Sequence, residues 1–169
     1  MKILTKTVLL VVGLTLAACE QTGRFDNPSN NEASDYFNQD NLALAASDPQ
    51  SPAYFQQFVG DRVLYNVNEY TLSVEARGIL DGQAEWLIAN PGFTAIVEGH
   101  ADERGTREYN LALGDRRANS ARDYLLSRGV SASRVKTVSY GKERPAQLCS
   151  EESCYSANRR AVTVLVAGG

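Results

Sequence analysis

Hydrophobic and polar residues follow a period that changes along the chain, from strand-like to helix-like and back. Four β-rich runs predict strands over 62–67, 94–98, 134–140 and 161–166. Gly99 and Gly141 follow the second and third of these runs. The last run is almost continuously apolar, which is typical of a central strand in a sheet.

Two stretches between these strands, 73–89 and 109–128, each carry one apolar stripe at helical spacing. The stripes consist of Ala76, Leu80, Ala84 and Leu87 in the first and Leu111, Ala118, Ala121 and Leu125 in the second. Gly129 is placed to cap the second helix. The order β-α-β-α-β-β predicts an α/β (α+β) two-layer sandwich, with the helices packed on one mixed sheet.

The first 18 residues have the pattern of a secretory signal peptide. Lys2 and Lys6 precede an apolar run over 7–18, which is too short to span a bilayer as a finished helix. The run ends in Leu16-Ala17-Ala18-Cys19, which resembles a bacterial lipobox. That resemblance implies cleavage before Cys19 and acylation of this cysteine. An ordinary cleavage site followed by an incidental cysteine is the alternative.

Residues 19–58 predict a lipidated, flexible and acidic tether. Between residues 20 and 58 six acidic residues stand against one base, and large apolar residues are few. The remainder, 59–169, holds 14 acidic and 14 basic residues and is the predicted folded domain. Since the chain carries a net charge of −3, it lacks the overall positive charge expected of a dedicated nucleic-acid-binding protein.

The polar loop after the second strand carries the candidate chemistry. It presents a carboxylate, Asp102, and the following helix presents a guanidinium, Arg117. Loops at the carboxyl ends of strands commonly hold the sites of α/β domains. Backbone N–H groups of such a glycine-bracketed turn can form an anion-binding nest.

These residues also carry a family resemblance. The pattern G-H-x-D-x-x-G-x-x-x-Y-N-x-x-L-x-x-x-R-A over 99–118 resembles the OmpA-like peptidoglycan-binding domain. The run 99–113 looks like the Pal lipoproteins of the Tol-Pal system, and the likeness extends through 138–145 and 155–162. A cysteine-bracketed insert near 149–154 resembles alphaproteobacterial members.

The resemblance implies that the ligand is the meso-diaminopimelate of peptidoglycan stem peptides, bound without a cofactor. Asp102 would accept from its ammonium group, Arg117 would grip its carboxylate, and Leu113 would line the pocket. At Asn68 the family commonly has an aspartate, so this contact loses its charge here.

Two further residues have more than one interpretation. His100 is either a structural hydrogen-bonding group under the loop or a ligand contact. Arg159 either contacts the loop or the ligand, or belongs to a charge pair at the start of a strand.

The resemblance further implies an outer-membrane lipoprotein whose domain faces the periplasm, with TolB and TolA as partners and a role in constriction at cell division. Glu20 follows the cysteine where an aspartate would favour the inner membrane, which agrees with the outer membrane. A peptidoglycan-cleaving enzyme and a pure protein-interaction module are the alternatives. One histidine and no recognisable nucleophile elbow argue against an enzyme or a metal site.

The remaining cysteines, Cys149 and Cys154, lie five positions apart. An exported protein meets an oxidising environment, so we expect these cysteines to form a disulfide. Two reduced thiols or part of a metal site are the alternatives.

Overall fold

The computed structural model describes residues 46–168, in which a four-stranded mixed sheet packs against two long helices. The strands are β1 (Arg62–Leu64), β2 (Phe93–His100), β3 (Val135–Gly141) and β4 (Arg160–Ala167). They lie in the order β1-β4-β2-β3; β4 is antiparallel to both neighbours, and β2 is parallel to β3. The predicted fold class is confirmed, and β4 is central as its apolar run indicates.

The helices are α1 (Pro52–Tyr54), α2 (Val74–Ala89), α3 (Arg107–Ser127) and α4 (Glu152–Asn158). Ser73 and Thr106 cap α2 and α3, since each side chain accepts a backbone N–H three residues on. Both predicted helices are confirmed to within two residues. The helix α4 is an addition to the predicted order; it is polar and only two turns long, so it carries no apolar stripe that could indicate it.

Most of the predicted stripe positions lie in the core. All four stripe residues of α2 are buried, as are Ala118, Ala121 and Leu125 of α3. The assignment of Leu111 to the buried stripe is wrong, because its side chain is 48% exposed. Leu113 is buried instead, on the face that turns Gly114 and Ala118 towards the sheet.

The last part of the predicted tether packs on the domain in the described residues. After α1 the chain continues as a π-helical turn, Phe55–Gly60. Phe55 is fully buried with its ring 5.0 Å from that of Trp86, and the Trp86 indole N–H donates to the carbonyl of Pro49 at 2.7 Å. Phe55 from this segment and Trp86 from α2 therefore join the segment to the helix. The domain boundary at 58/59 stays a prediction.

The predicted signal peptide, the lipidated Cys19 and most of the tether lie outside the described residues. Within 46–168 no helix combines the length and apolarity needed to cross a bilayer.

Candidate functional site

The site lies where β2 ends and the chain enters the loop before α3. A Cβ atom at Gly99 would collide with the carbonyl oxygen of Gly114, so α3 approaches β2 this closely only because residue 99 is glycine. The backbone N–H of Ala101 donates to the carbonyl of Gly141 at 2.8 Å, and the buried Asn110 amide donates to the carbonyl of Arg104 at 2.9 Å. The loop is thus fastened to both β3 and α3.

Asp102 lies at the centre of this loop with only 7% of its surface exposed. Its Oδ1 accepts the backbone N–H of Arg104 at 3.2 Å, and its Oδ2 accepts the guanidinium groups of Arg104 at 2.8 Å and Arg159 at 3.2 Å. Burial alone would raise the pKa of Asp102, but these hydrogen bonds outweigh it and hold the pKa below its ordinary value. Asp102 is therefore a fixed, ionised carboxylate.

Arg117 is fully buried, and its guanidinium acts on backbone carbonyls. Its Nε donates to Glu69 at 2.8 Å, one terminal nitrogen donates to His100 at 2.8 Å, and the other donates to Asn66 at 3.0 Å. Its guanidinium carbon also lies 5.3 Å from the centre of the Tyr65 ring. Burial lowers the pKa of Arg117 to about 10, which still leaves it charged at neutral pH. Arg117 thereby joins the β1–α2 loop to the end of β2.

Among the described residues, Arg159 is the buried arginine that contacts Asp102 directly. Its other donors go to the Tyr65 carbonyl at 3.1 Å and to Oε1 of Glu152 at 2.6 Å. Of the two interpretations from sequence, the structure places Arg159 against the loop carboxylate. It is held on three sides by acceptors, so its guanidinium is locked in place.

His100 is buried, and neither ring nitrogen has a hydrogen-bond partner among the described residues. Nε2 lies 3.7 Å from the Glu98 carboxylate, and the imidazole ring packs 5.7 Å from that of Tyr140. Burial and the positive charges of Arg160 and Arg144 lower the pKa of His100 to about 4, so the ring is neutral at physiological pH. In this structure its backbone carbonyl, bonded to Arg117, contributes more to the site than its ring does.

Asn68 and Leu113 lie on opposite flanks of the site. Asn68 is exposed in the β1–α2 loop with a positive φ of 56°, and its side-chain carbonyl accepts the Tyr109 hydroxyl at 3.4 Å. Leu113 is buried on α3, one turn before Arg117. The β1–α2 loop begins earlier than expected because β1 ends at Leu64. The Tyr65 N–H still donates to the Arg159 carbonyl, in register with the pairing of β1 and β4.

The cysteine-bracketed insert forms a further flank of the site. Cys149 and Cys154 form the expected disulfide, with their Cα atoms 5.8 Å apart. The hydroxyls of Ser150 and Tyr155 both donate to Oε1 of Glu103, at 3.0 and 3.2 Å. The insert therefore holds the loop next to Asp102. Its position beside a resembling motif was visible in the sequence, but these contacts across about 50 positions were not.

Comparison with known proteins gives the class to which this fold and site belong. The family model described as "OmpA family" matches residues 64–160, and the chain belongs to this family. The match covers β4 only at its first residue but includes the loop, α3 and α4.

Within the family the chain is most informatively compared with proteins named peptidoglycan-associated lipoprotein. One from Rhizobium meliloti is 45% identical over 162 residues, covering 96% of this chain and 88% of the relative. Another from Agrobacterium fabrum is 44% identical over 165 residues, covering 96% and 88%. These relatives agree with the alphaproteobacterial resemblance of the insert.

Solved structures give the same result. The crystal structure of the peptidoglycan-associated lipoprotein from Burkholderia pseudomallei matches with a TM-score of 0.65 and 33% identity, covering 70% of this chain and all of that one. The C-terminal domain of Helicobacter pylori MotB shares only the fold, with a TM-score of 0.60 at 15% identity over 64% of this chain and 86% of that one.

Proposed function

We propose that this domain binds the diaminopimelate of peptidoglycan non-covalently, with Asp102 as the acceptor for the ligand's ammonium group. The observation that carries the proposal is the environment of Asp102, a carboxylate that arginines keep ionised in a loop at the carboxyl end of β2. An ionised and preorganised acceptor binds a primary ammonium without first having to lose a proton. The names of the relatives support peptidoglycan as the target.

The proposal keeps Arg117 in the site but changes how it acts. A bidentate grip on the ligand carboxylate needs two outward N–H groups, whereas the Arg117 side chain is fully buried and three of its five donors serve backbone carbonyls. A carboxylate would reach Nε only by replacing the Glu69 carbonyl. In the observed geometry Arg117 supports the ligand indirectly, by holding the loops on which Asn68 and Asp102 lie.

The remaining members of the proposed site each have a different role. Arg159 orients Asp102, Leu113 supplies apolar surface under the loop, and Asn68 offers a neutral amide at the exposed rim. His100 contributes through its backbone carbonyl.

At the level of the cell, we infer a lipoprotein anchored in the outer membrane through Cys19, with its domain in the periplasm. Such a protein joins the outer membrane to the wall, and resemblance to the Tol-Pal lipoproteins suggests TolB and TolA as partners during division. The lipobox pattern and the name of the relatives, peptidoglycan-associated lipoprotein, support this inference.

Cosedimentation with purified sacculi tests the binding function. Asp102→Asn keeps the shape of the side chain but removes its charge, so the full-length protein in detergent should no longer cosediment. Asp115→Asn is the matched control, since Asp115 is exposed on α3 and contacts only Asn119 among the described residues. Added meso-diaminopimelate should release the wild-type protein.

Two results would favour the alternatives. Release of soluble muropeptides from the sacculi would indicate a peptidoglycan-cleaving enzyme. Wild-type-like cosedimentation of Asp102→Asn would show that the domain attaches by another surface, as a protein-interaction module would.

A further inference from the structure

The second arginine on Asp102, Arg104, is held differently from Arg159. The Arg104 side chain is 46% exposed, whereas that of Arg159 is 7% exposed. Arg159 donates to three acceptors on different segments, but the Arg104 guanidinium hydrogen-bonds only to Asp102 within the described residues. Arg159 is thus fixed in the structure, whereas Arg104 can leave Asp102 at little cost in free energy.

Arg104 also occupies the accessible part of the carboxylate. Asp102 has little exposed surface, Oδ1 is engaged by a backbone N–H, and Oδ2 is shared between the two guanidinium groups. Because Arg159 is buried, the solvent side of Oδ2 is the side that Arg104 covers. A ligand ammonium approaching from solvent therefore meets a like charge on the acceptor that it needs.

A second place for the Arg104 guanidinium lies next to the first. Oε2 of Glu152 is 3.7 Å from the same terminal nitrogen, and the Tyr155 ring centre is 4.5 Å from the guanidinium carbon. Glu152 carries a 61% exposed side chain, so it can adjust to a moving partner. Arg104 can leave Asp102 and still keep a carboxylate and an aromatic face beside its charge.

From this geometry we propose that Arg104 is a displaceable internal cation that competes with the ligand ammonium for Asp102 and moves to Glu152 and Tyr155 when the ammonium binds. This makes Arg104 a residue that sets the affinity of the site: its competition weakens every cation that binds Asp102 by the same factor. The inference rests on the proposed function, because it takes Asp102 as the ammonium acceptor.

The test is calorimetric titration of the full-length protein in detergent at fixed ionic strength with two probes. One is meso-diaminopimelate, and the other is cadaverine, a five-carbon diamine that carries an ammonium group at each end and no carboxylate. Arg104→Gln should bind both probes about twofold to fivefold more tightly, the range that loss of an exposed competing ion pair allows. Arg104→Lys, which keeps a cation, should lie between Arg104→Gln and wild type.

Arg107→Gln is the matched control. It removes the same charge from the start of α3, where Arg107 is 73% exposed and contacts Glu143, away from Asp102. Its affinity should stay at the wild-type value. Equal tightening in both variants would mean that net charge alone is responsible, and would overturn the inference.

A double-mutant cycle tests whether Glu152 is the carboxylate to which Arg104 moves. Glu152→Gln should weaken diaminopimelate binding more in the presence of Arg104 than in the Arg104→Gln background. The reason is that only Arg104 needs the Glu152 carboxylate after it leaves Asp102. Any effect that Glu152 exerts through Arg159 is common to both backgrounds and cancels. Equal effects in the two backgrounds would exclude Glu152 as the receiving carboxylate.

The outcomes also separate this inference from the proposed function. Selective weakening of diaminopimelate binding in Arg104→Gln, with cadaverine binding unchanged, would instead make Arg104 a contact for the ligand carboxylate. If Asp102→Asn loses sacculus binding while Arg104→Gln does not tighten, the inference alone fails. If wild type binds neither probe nor sacculi, both fail.

Discussion

Asp102 and Arg117, the two charges 15 positions apart in the motif, do different work in the folded protein. Asp102 is held by the half-exposed Arg104 and the buried Arg159, whereas Arg117 lies under the loops and bonds to their carbonyls. The motif predicts which residues matter, but it does not distinguish a ligand contact from a buried support. That distinction depends on burial, which the spacing of the motif does not encode.

Arg117→Ala should therefore destabilise the fold as well as impair binding. Three carbonyls would lose a charged donor in a buried setting, and we expect the free energy of unfolding to fall by about 2–4 kcal/mol. Denaturant titration followed by circular dichroism measures this. Arg116→Ala is the control, since Arg116 is exposed and rests against the Tyr70 ring. A wild-type midpoint for Arg117→Ala would contradict the supporting role.

His100 should make stability depend on pH in a defined window. Its pKa is about 4 in the folded protein against an ordinary value of 6.5, because of burial and the charges of Arg160 and Arg144. Between these values the unfolded chain binds more protons, so stability rises as pH increases from 4 to 6.5, by at most about 1.4 kcal/mol per pH unit. The neighbouring Glu98 carboxylate and Tyr140 ring leave this sign unchanged.

The measurement compares unfolding free energies of wild type and His100→Gln between pH 5 and 6.5, above the range in which most carboxylates titrate. The slope due to His100 should disappear in the variant. The chain has one histidine, so no other imidazole can supply it. An unchanged slope would show that the ring titrates normally.

At the scale of elements, two glycines with the same backbone freedom should respond oppositely to alanine. Gly99→Ala places a Cβ against the Gly114 carbonyl, where β2 and α3 meet, and should cost about 1–3 kcal/mol. Gly78→Ala adds a Cβ that meets nothing within 4 Å on α2, and should stabilise by about 0.5–1 kcal/mol. Thermal unfolding measures both variants. A shift of the two melting temperatures in the same direction would contradict the close contact between Gly99 and Gly114.

The elements also show what the sequence could predict. The long helices and the strands were readable because each buries one periodic face, and the central place of β4 followed from its apolar run. The sequence pattern does not predict the end of β1, the exposure of Leu111 or the helix α4. Two of these depend on contacts distant in sequence: the place of Leu111 depends on the contact of Gly114 with Gly99, and α4 on that of the insert with Glu103. The site followed the same rule, since Asp102 was found by motif but Arg104 and Glu152 were not.

For the whole molecule, the proposed function depends on two attachments in series. In the proposed function the lipid holds one end in the membrane and the domain holds peptidoglycan, so the chain between them would confine a modest binding site near its target and raise its effective concentration. The acidic charge of residues 20–58 lies between these attachments. Loss of either attachment should separate the outer membrane from the wall. The protein should then stay bound to peptidoglycan in one case and to the membrane in the other.

Cys19→Ser tests the membrane attachment separately from the wall attachment. Without acylation the protein should leave the outer-membrane fraction, because a chain without its lipid lacks the anchoring signals that stable attachment requires. The domain is unchanged, so the protein should still cosediment with sacculi, whereas Asp102→Asn should show the reverse pattern. Fractionation, together with mass spectrometry of the mature N-terminus, measures both. Membrane retention of Cys19→Ser, or a wild-type N-terminus without acyl mass, would refute the lipid anchor while leaving peptidoglycan binding by Asp102 intact.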